Sequence, residues 1–562
     1  MTVYWVVWDA AAHWIVDRLD RQGMLPAVRR LRGGGVRAAA MPPAPNCQTP
    51  PSLATLFTGA WSQEHEVTGF TVPDLDSLTG HRSGFAPGFP ARLPVWRTLT
   101  EHGMRSAFVH APWVFGEDGA VGSGVDGAIE AYSNRLARHD VLPLGEPGRL
   151  RWGVGPYEVL VDISAHDVRL YIGDIEHELT VERGWVPVEL PGGAGFWVRH
   201  LATAQGRALV RTGAWAARTG GTDSRLVQAL ARTPVFAGEG VGPLYRTGLF
   251  GPRLVEGGDG TAEEIFLSSV DCVVQSFGAA TDAVLSCHDA DLVVIYLPWT
   301  DDVGHELAGW CDEQSAAYRP DIAEQAWTHL SSCYRQADAV LGMVLDRAGE
   351  TDTVLLCADH GMVGSSHLVH INEQLVLAGL AARTPSGALD PQRSQVVYHP
   401  ANNGSLRVNH ELLPGGVVPA ERVGDTMRDA MAALREITAP EGTRVVTGFL
   451  DAHAQPVTEQ NAGALTYVVL ADNYQPSADC DGGAVVRPLA KSGAHVVNTG
   501  DPRLHAAFAA AGPGIPADLD LGVVENTLGA QLVLHQLGAG ERPTLAAPSL
   551  KSNGGRPRWA TH

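Results

Sequence analysis

Three aspartates, three histidines and one threonine stand where apolar runs end or a helix begins. Asp9 closes the run MTVYWVVWDAAA, Asp301 and His305 lie in DLVVIYLPWTDDVGHELAG, Asp359 and His360 end TVLLCADHGM, and His495 sits in SGAHVV. Thr49 lies in NCQTPPSLATLFTG, just ahead of Pro50, Pro51 and Ser52. Proline is tolerated in a first helical turn, so Thr49 is expected to be a helix N-cap whose hydroxyl meets the positive end of the dipole. A hydroxyl held there is easier to ionise, and easier still on a divalent cation. Carboxylate and imidazole are usual ligands of zinc-like ions. Two such ions would set four positive charges against three carboxylates and one alkoxide, leaving the site near neutral and able to hold an incoming phosphate and its transition state.

The elements that must position these residues read as a doubly wound, mostly parallel α/β fold. The runs ending on Asp9, Asp301 and Asp359 are apolar throughout, as strands buried on both faces are; Asp301 and His305 are expected in the loop after theirs. Core grammar covers residues 1–132, returns at 261–380 and closes at 486–546. Between them, 133–260 alternates apolar and polar residues like an antiparallel β-rich insertion, and 381–485 mixes strands such as GSLRVN with the helix VGDTMRDAMAALREI as a second, α+β insertion. Residues 547–562 form a Gly/Pro-rich tail expected to be disordered.

In this order and context the motifs resemble the alkaline phosphatase superfamily, and within it the type I phosphodiesterase/nucleotide pyrophosphatase family, which includes phosphonoacetate hydrolase-like enzymes. The likeness runs from Asp9 through TPPSLATLFTG, DDVGH, ADHGM and SGAHVV to AAFAAAGPGI, with Thr58-Gly59 ending the nucleophile helix and His65 soon after. It implies an alkaline phosphatase-like core, one zinc bound by Asp301, His305 and His495, and another by Asp9, Asp359 and His360, with Thr49 bridging toward the second as nucleophile. The family's D-x-x-G-H spacing selects Asp301 over Asp302. Relatives acting on nucleotides usually carry an asparagine after the nucleophile, whereas Ser52 stands three residues on here, a hydroxyl that can donate one hydrogen bond to a phosphate oxygen. Glu66 also replaces a common glycine after His65. Sulfatases need a Cys or Ser in a C-x-P-x-R-like stretch, and cofactor-independent phosphoglycerate mutases use serine at the nucleophile; both are disfavoured.

The implied reaction is hydrolysis of a phosphodiester or nucleotide-type phosphoanhydride through a phospho- or nucleotidyl-threonine. No arginine accompanies a ligand motif to clamp the extra oxygen of a dianionic monoester, which favours diesters and anhydrides. The alternative is a phosphomonoesterase or phosphonoacetate-like C–P hydrolase whose clamp lies elsewhere, for example Arg487 or Lys491. A catalytically silent binding protein on this scaffold is disfavoured, because the nucleophile and every ligand are present.

Composition sets the bounds. A net charge of -21 and a pI near 5.4 argue against a broad grip on nucleic acid polymers or anionic membranes, leaving a small-molecule phosphoester or phosphonate as partner. The seven cysteines are scattered and free of CxxC pairs, as reduced thiols in a cytoplasmic protein are. Neither a basic leader nor an apolar span of membrane length is seen, which again reads as intracellular. His367, His370, His13, His110 and His399 read mainly as packing residues. Trp61 and Phe70 flank the turn after the nucleophile helix, where an aromatic could stack on a base or leaving group.

Overall fold

The run VYWVVW forms the strand Val3–Trp8, with every residue buried. That is the signature of a strand covered on both faces, and it lies in the middle of a nine-stranded sheet. In the computed structural model, which describes residues 1–545 apart from 87, 165–166, 204–205, 288–289, 440–441, 452–462 and 496–499, this strand pairs in parallel with Leu292–Leu297 on one side and Thr353–Ala358 on the other. The tail expected at 547–562 lies outside the described residues. Beyond Leu292–Leu297 come Ser106–Val109 and Val125–Glu130, both parallel, and then the antiparallel edge strand Arg218–Gly220. Beyond Thr353–Ala358 comes the antiparallel Ala506–Ala511, followed by Val36–Met41 and Leu519–Glu525. The fold is therefore a mostly parallel, doubly wound α/β sheet. Helices such as Thr261–Cys287 and Ala323–Arg347 cover it, and their apolar faces join the strands in one large core.

The register matters for function. Trp8 lies opposite both Leu297 and Ala358, so the residues that follow these three strands emerge side by side at one sheet edge. Ligands of open α/β sheets bind at such carboxyl ends.

Two antiparallel regions depart from this grammar. Gly148–Val154, Tyr157–Ile163, Val168–Ile172 and Ile175–Leu179 form a meander. Its alternating burial, as in Val159, Val161 and Ile163, builds a separate core against Val188, Phe196 and Leu209. The second region pairs Val396–Tyr398, Ser405–Val408, Leu465–Leu470 and Val446–Asp451, packed with the helix Val423–Arg435 around a core of its own. Between this region and the central sheet runs Val363–His370, which pairs with Asn473–Ser477, Val486–Pro488 and Gly493–Ala494. That small sheet ties the second region to the site.

Candidate active site

Asp9 and Asp359 are the first residues beyond adjacent central strands, and both are buried. The third strand leads into the helix Trp299–Cys311, so Asp301 and His305 stand on its first two turns rather than in the expected loop. Their i,i+4 spacing puts them on one helix face, and His305 Nε2 is 3.4 Å from Asp301 Oδ1. His495 follows the short strand Gly493–Ala494, which is clamped to that helix: Ser492 N donates to His305 O at 3.0 Å and Ser492 Oγ to Glu306 O at 2.7 Å. The approach is close enough that a Cβ on Gly493 would lie 2.3 Å from Gly304 O, so glycine is required there. His495 Nε2 thereby comes within 3.1 Å of Asp301 Oδ1 and 3.2 Å of His305 Nε2.

Thr49 opens the buried helix Thr49–Thr58, which ends on Gly59 at φ 66. It is the first helical residue and not the cap: Ser52 N donates to Gln48 O at 3.1 Å, which closes the first turn on Gln48. Pro50 and Pro51 have no N–H and the Ser52 amide is used, so Thr49 N–H alone is left to face an anion at this terminus. Thr49 Oγ1 lies 3.4 Å from His360 Nε2. Ser52, one turn on and fully buried, has a hydroxyl without a partner.

Each histidine turns the same nitrogen inward. The Nδ1 atoms of His305, His360 and His495 approach the carbonyls of Gly493, Gly361 and Cys47 at 2.8, 3.0 and 3.4 Å. Donation there fixes the tautomer that leaves Nε2 with a free lone pair, the usual arrangement of metal-binding imidazoles. Inward-facing carboxylate atoms are bare as well: Asp9 Oδ1, Asp301 Oδ1 and Asp359 Oδ2 are buried without a hydrogen-bond partner. Their other sides are braced. Tyr296 donates to Asp9 Oδ2, Thr300 to the Asp9 carbonyl, and Ala10 N and His360 N to Asp359 Oδ1 at 3.0 and 2.9 Å. Asn526 Nδ2 donates to Asp359 O at 2.7 Å.

The ionisation pattern fits a place for cations. Burial, with Asp359 and Asp301 nearby, pushes Asp9 well above the usual carboxylate range. Burial likewise pushes Asp359 up to about 7, against the Ala10 N–H that favours its charged form. Burial drives His305 down to about 3 and His360 well below its ordinary value. Crowded carboxylates and neutral imidazoles are what a divalent ion would pair with. Candidate ligand atoms of Asp9, Asp359 and His360 lie within 4.8 Å of one another, as do those of Asp301, His360 and His495. His360 sits between the two sets, its ring stacked on His495 at 3.9 Å.

Sequence reasoning missed Tyr296, Thr300 and Asn526. Tyr296 carried a signal, being the one polar-tipped side chain in LVVIYL. Of the other residues singled out, His367 pairs with Ser366 Oγ at 2.8 Å and stacks on Tyr474, and His370 Nδ1 approaches the Asp479 carbonyl at 3.4 Å. Arg487 is paired with Asp481. Phe70 is 49% exposed and its amide donates to Oε1 of Gln48, the residue before Thr49.

The model of the family described as type I phosphodiesterase / nucleotide pyrophosphatase matches residues 6–183 and 209–442. That is most of the chain, and it includes Asp9, Thr49, Asp301, His305, Asp359 and His360. The chain belongs to this family. Membership makes it a hydrolase of the phosphodiesterase or pyrophosphatase type. His495 lies beyond the matched residues. Among curated proteins none matches the sequence. Among solved structures, human ectonucleotide pyrophosphatase/phosphodiesterase 5 is 12% identical with a TM-score of 0.47, covering 97% of both chains. Phosphonoacetate hydrolase from Sinorhizobium meliloti, in complex with phosphonoformate, is 14% identical with a TM-score of 0.45, covering 96% of this chain and 95% of that one. At these identities nothing about substrate passes from those proteins to this one.

Proposed function

We propose that the protein hydrolyses phosphodiesters or nucleotide-type phosphoanhydrides with two zinc-like ions and a covalent threonine intermediate. The observation that carries this reading is the place of Thr49 Oγ1, 3.4 Å from His360 Nε2, among carboxylate oxygens of Asp9, Asp301 and Asp359 that accept no hydrogen bond and face the Nε2 atoms of His360, His305 and His495. Ions held by Asp9, Asp359 and His360 and by Asp301, His305 and His495 would supply positive charge for the phosphoryl and leaving oxygens and ease ionisation of the threonine and of a water. Thr49 Oγ gives up its proton and attacks phosphorus in line; the new O–P bond forms as the bond to the leaving group breaks, and the leaving group departs with its electron pair. Water then attacks the same phosphorus from the opposite side, the Thr49–phosphorus bond breaks, and the threonine recovers a proton. Tyr296 and the Ala10 amide keep two carboxylates aimed inward, and the Thr49 N–H and Ser52 hydroxyl are donors for a phosphoryl oxygen.

The partner is a small-molecule phosphoester or phosphonate, since a net charge of -21 offers no broad surface for polyanions. A cytoplasmic location is supported by seven cysteines that all stand free; among the described residues no helix is long and apolar enough to cross a membrane. Residues 1–132, 261–380 and 486–546 are taken as one catalytic unit carrying the insertions 133–260 and 381–485, the first of which also lends the edge strand Arg218–Gly220 to the central sheet. Family membership and the order of the motifs support the reading. A second reading, C–P or monoester hydrolysis, is favoured by one observation, the ammonium of Lys491, which lines a small cavity together with His305.

The test is covalent trapping. Zinc-loaded enzyme quenched during turnover of thymidine p-nitrophenyl phosphate should carry a nucleotidyl group on the peptide containing Thr49, read by mass spectrometry. Steady turnover with the label on another residue, or with none under burst conditions, rejects the threonine intermediate.

A further inference from the structure

Lysine is almost absent from this chain. Of its 41 basic side chains, the lysines are Lys491 and Lys551, so among the described residues Lys491 is the one lysine. It stands four residues before His495, and the backbone at Ser492 and Gly493 is bonded to the helix carrying His305. Its position is therefore fixed relative to the site.

Beside it lies a cavity of about 110 Å³ lined by Glu239, Arg246, Asp302, His305, Glu306 and Lys491 among others. That volume takes a group the size of a few water molecules, well below the roughly 300–1,000 Å³ of a pocket for a whole drug-sized ligand. Most of the lining charges are already engaged. Arg246 pairs with Glu306, Arg135 pairs with Glu239 at 3.5 Å, and Asp302 Oδ2 accepts from Gly240 N at 3.2 Å. Lys491 has no hydrogen-bond or ion-pair partner among the described residues. The Lys491 charge acts on Asp302, His305 and Glu306, but with Glu306 already paired to Arg246 and no hydrogen bond spent on any of them, the ammonium at the wall of this small polar cavity is open to an entering anion.

We infer that Lys491 binds an anionic group on the leaving half of the substrate, a carboxylate or a second phosphate, and so selects substrates whose leaving group carries its own negative charge. This rests on reading Asp301, His305 and His495 as the ligands nearest the leaving atom. It also answers a shortage noted above: with Pro50 and Pro51 in place, the nucleophile helix offers a single free N–H to an anion, so the recognition of a second charge falls to a side chain.

Binding decides it. In the zinc-loaded Thr49→Ala protein, which cannot turn over, calorimetry would compare phosphonoacetate with methylphosphonate and pyrophosphate with inorganic phosphate, each pair differing by one anionic group. At least one anion-bearing probe should bind tenfold or more tighter than its control, and Lys491→Met should remove that gain, about tenfold to a hundredfold for a charge-assisted hydrogen bond. Lys491→Arg should keep part of it. The pair that responds tells carboxylate from phosphate. No gain in either pair, or a gain that survives Lys491→Met, overturns the inference. Turnover of thymidine p-nitrophenyl phosphate by the wild-type enzyme is scored separately: its absence would strike the diesterase reading, while the binding result would still decide Lys491.

Discussion

The two ligand groups of the candidate site are built differently. Asp9, Asp359 and His360 come from the ends of two paired central strands and are at most 4% exposed, with Tyr296, Ala10 N and Asn526 behind them. Asp301 and His305 come from a helix face and His495 from a segment nearly two hundred residues further on; the Asp301 and His305 side chains are 18% and 13% exposed, beside the cavity of Lys491. A closed group braced by the core suits holding charge and nucleophile in fixed geometry, whereas an open one suits admission of water and departure of a product. One site thus joins a rigid half, made by the sheet, to an accessible half made by packing a helix against a late segment.

The largest expected effect falls where the halves meet. Thr49→Ala should lower kcat by roughly 10²–10⁴ or more, as loss of a key catalytic group does, while elemental analysis still finds both ions. Retention of more than about a hundredth of the activity would mean that another group is the nucleophile.

Next come the ligands, which set one half against the other. Asp359→Ala should empty the closed half and lower thermal stability sharply, because Ala10 N and His360 N lose their acceptor inside the core, at about 1–3 kcal/mol for each unmet group. His305→Ala should empty the open half at a cost of about 1 kcal/mol, the worth of its Nδ1 bond to Gly493 O. Chelation should lower Tm as well, since the ions tie remote segments together. Equal losses of stability from the two variants would erase the distinction between closed and open.

A finer probe is Tyr296→Phe, which keeps the ring and deletes the donor to Asp9. Removing such an outer partner typically costs about 10–100-fold in metal affinity or activity. Titration of the closed half with zinc would measure it; unchanged affinity would show that burial alone aims Asp9.

Much of this was legible in the sequence because the chemistry sits on strong local patterns. VYWVVW and LVVIYL can only be strands covered on both faces, and each hands a carboxylate to the same sheet edge. The helix boundary at Thr49 was misplaced by one residue, since a residue before proline is biased out of the helix while the Ser52–Gln48 bond extends it. The turn after Pro298 read as a loop, yet Trp299–Cys311 is helical, because the glycines in DVGHELAG are accepted where the helix must pack closely on Ser492 and Gly493. Tyr296, Thr300 and Asn526 were hidden for another reason: a side chain that acts by bracing a ligand has no spacing rule, and only the fold brings it there.

The smallest effect concerns His110, at the end of the strand Ser106–Val109 that flanks the one leading to Asp301. Its ring lies between Phe236 and Phe277 at 4.7 and 4.2 Å, both nitrogens are buried without partners, and burial pushes it down to about 3. The unfolded chain binds a proton there near the ordinary value of 6.5. Between those values the unfolded state holds more protons than the native one, so stability rises with pH and is lost as pH falls below 6.5. At pH 5 that amounts to about 2 kcal/mol, from some 1.5 pH units at 1.36 kcal/mol each. Asparagine is the useful replacement, because φ is 56 at this position and a bulkier side chain would be strained. In urea unfolding at pH 7 and pH 5, His110→Asn should lose about 2 kcal/mol less between the two than the wild type does, whatever its absolute stability. His65 and His399, also pushed down by burial, contribute equally to both proteins and cancel. The same pH dependence in variant and wild type would mean that His110 meets its proton in the native state, and that the flank of the open half is wetter than its aromatic walls suggest.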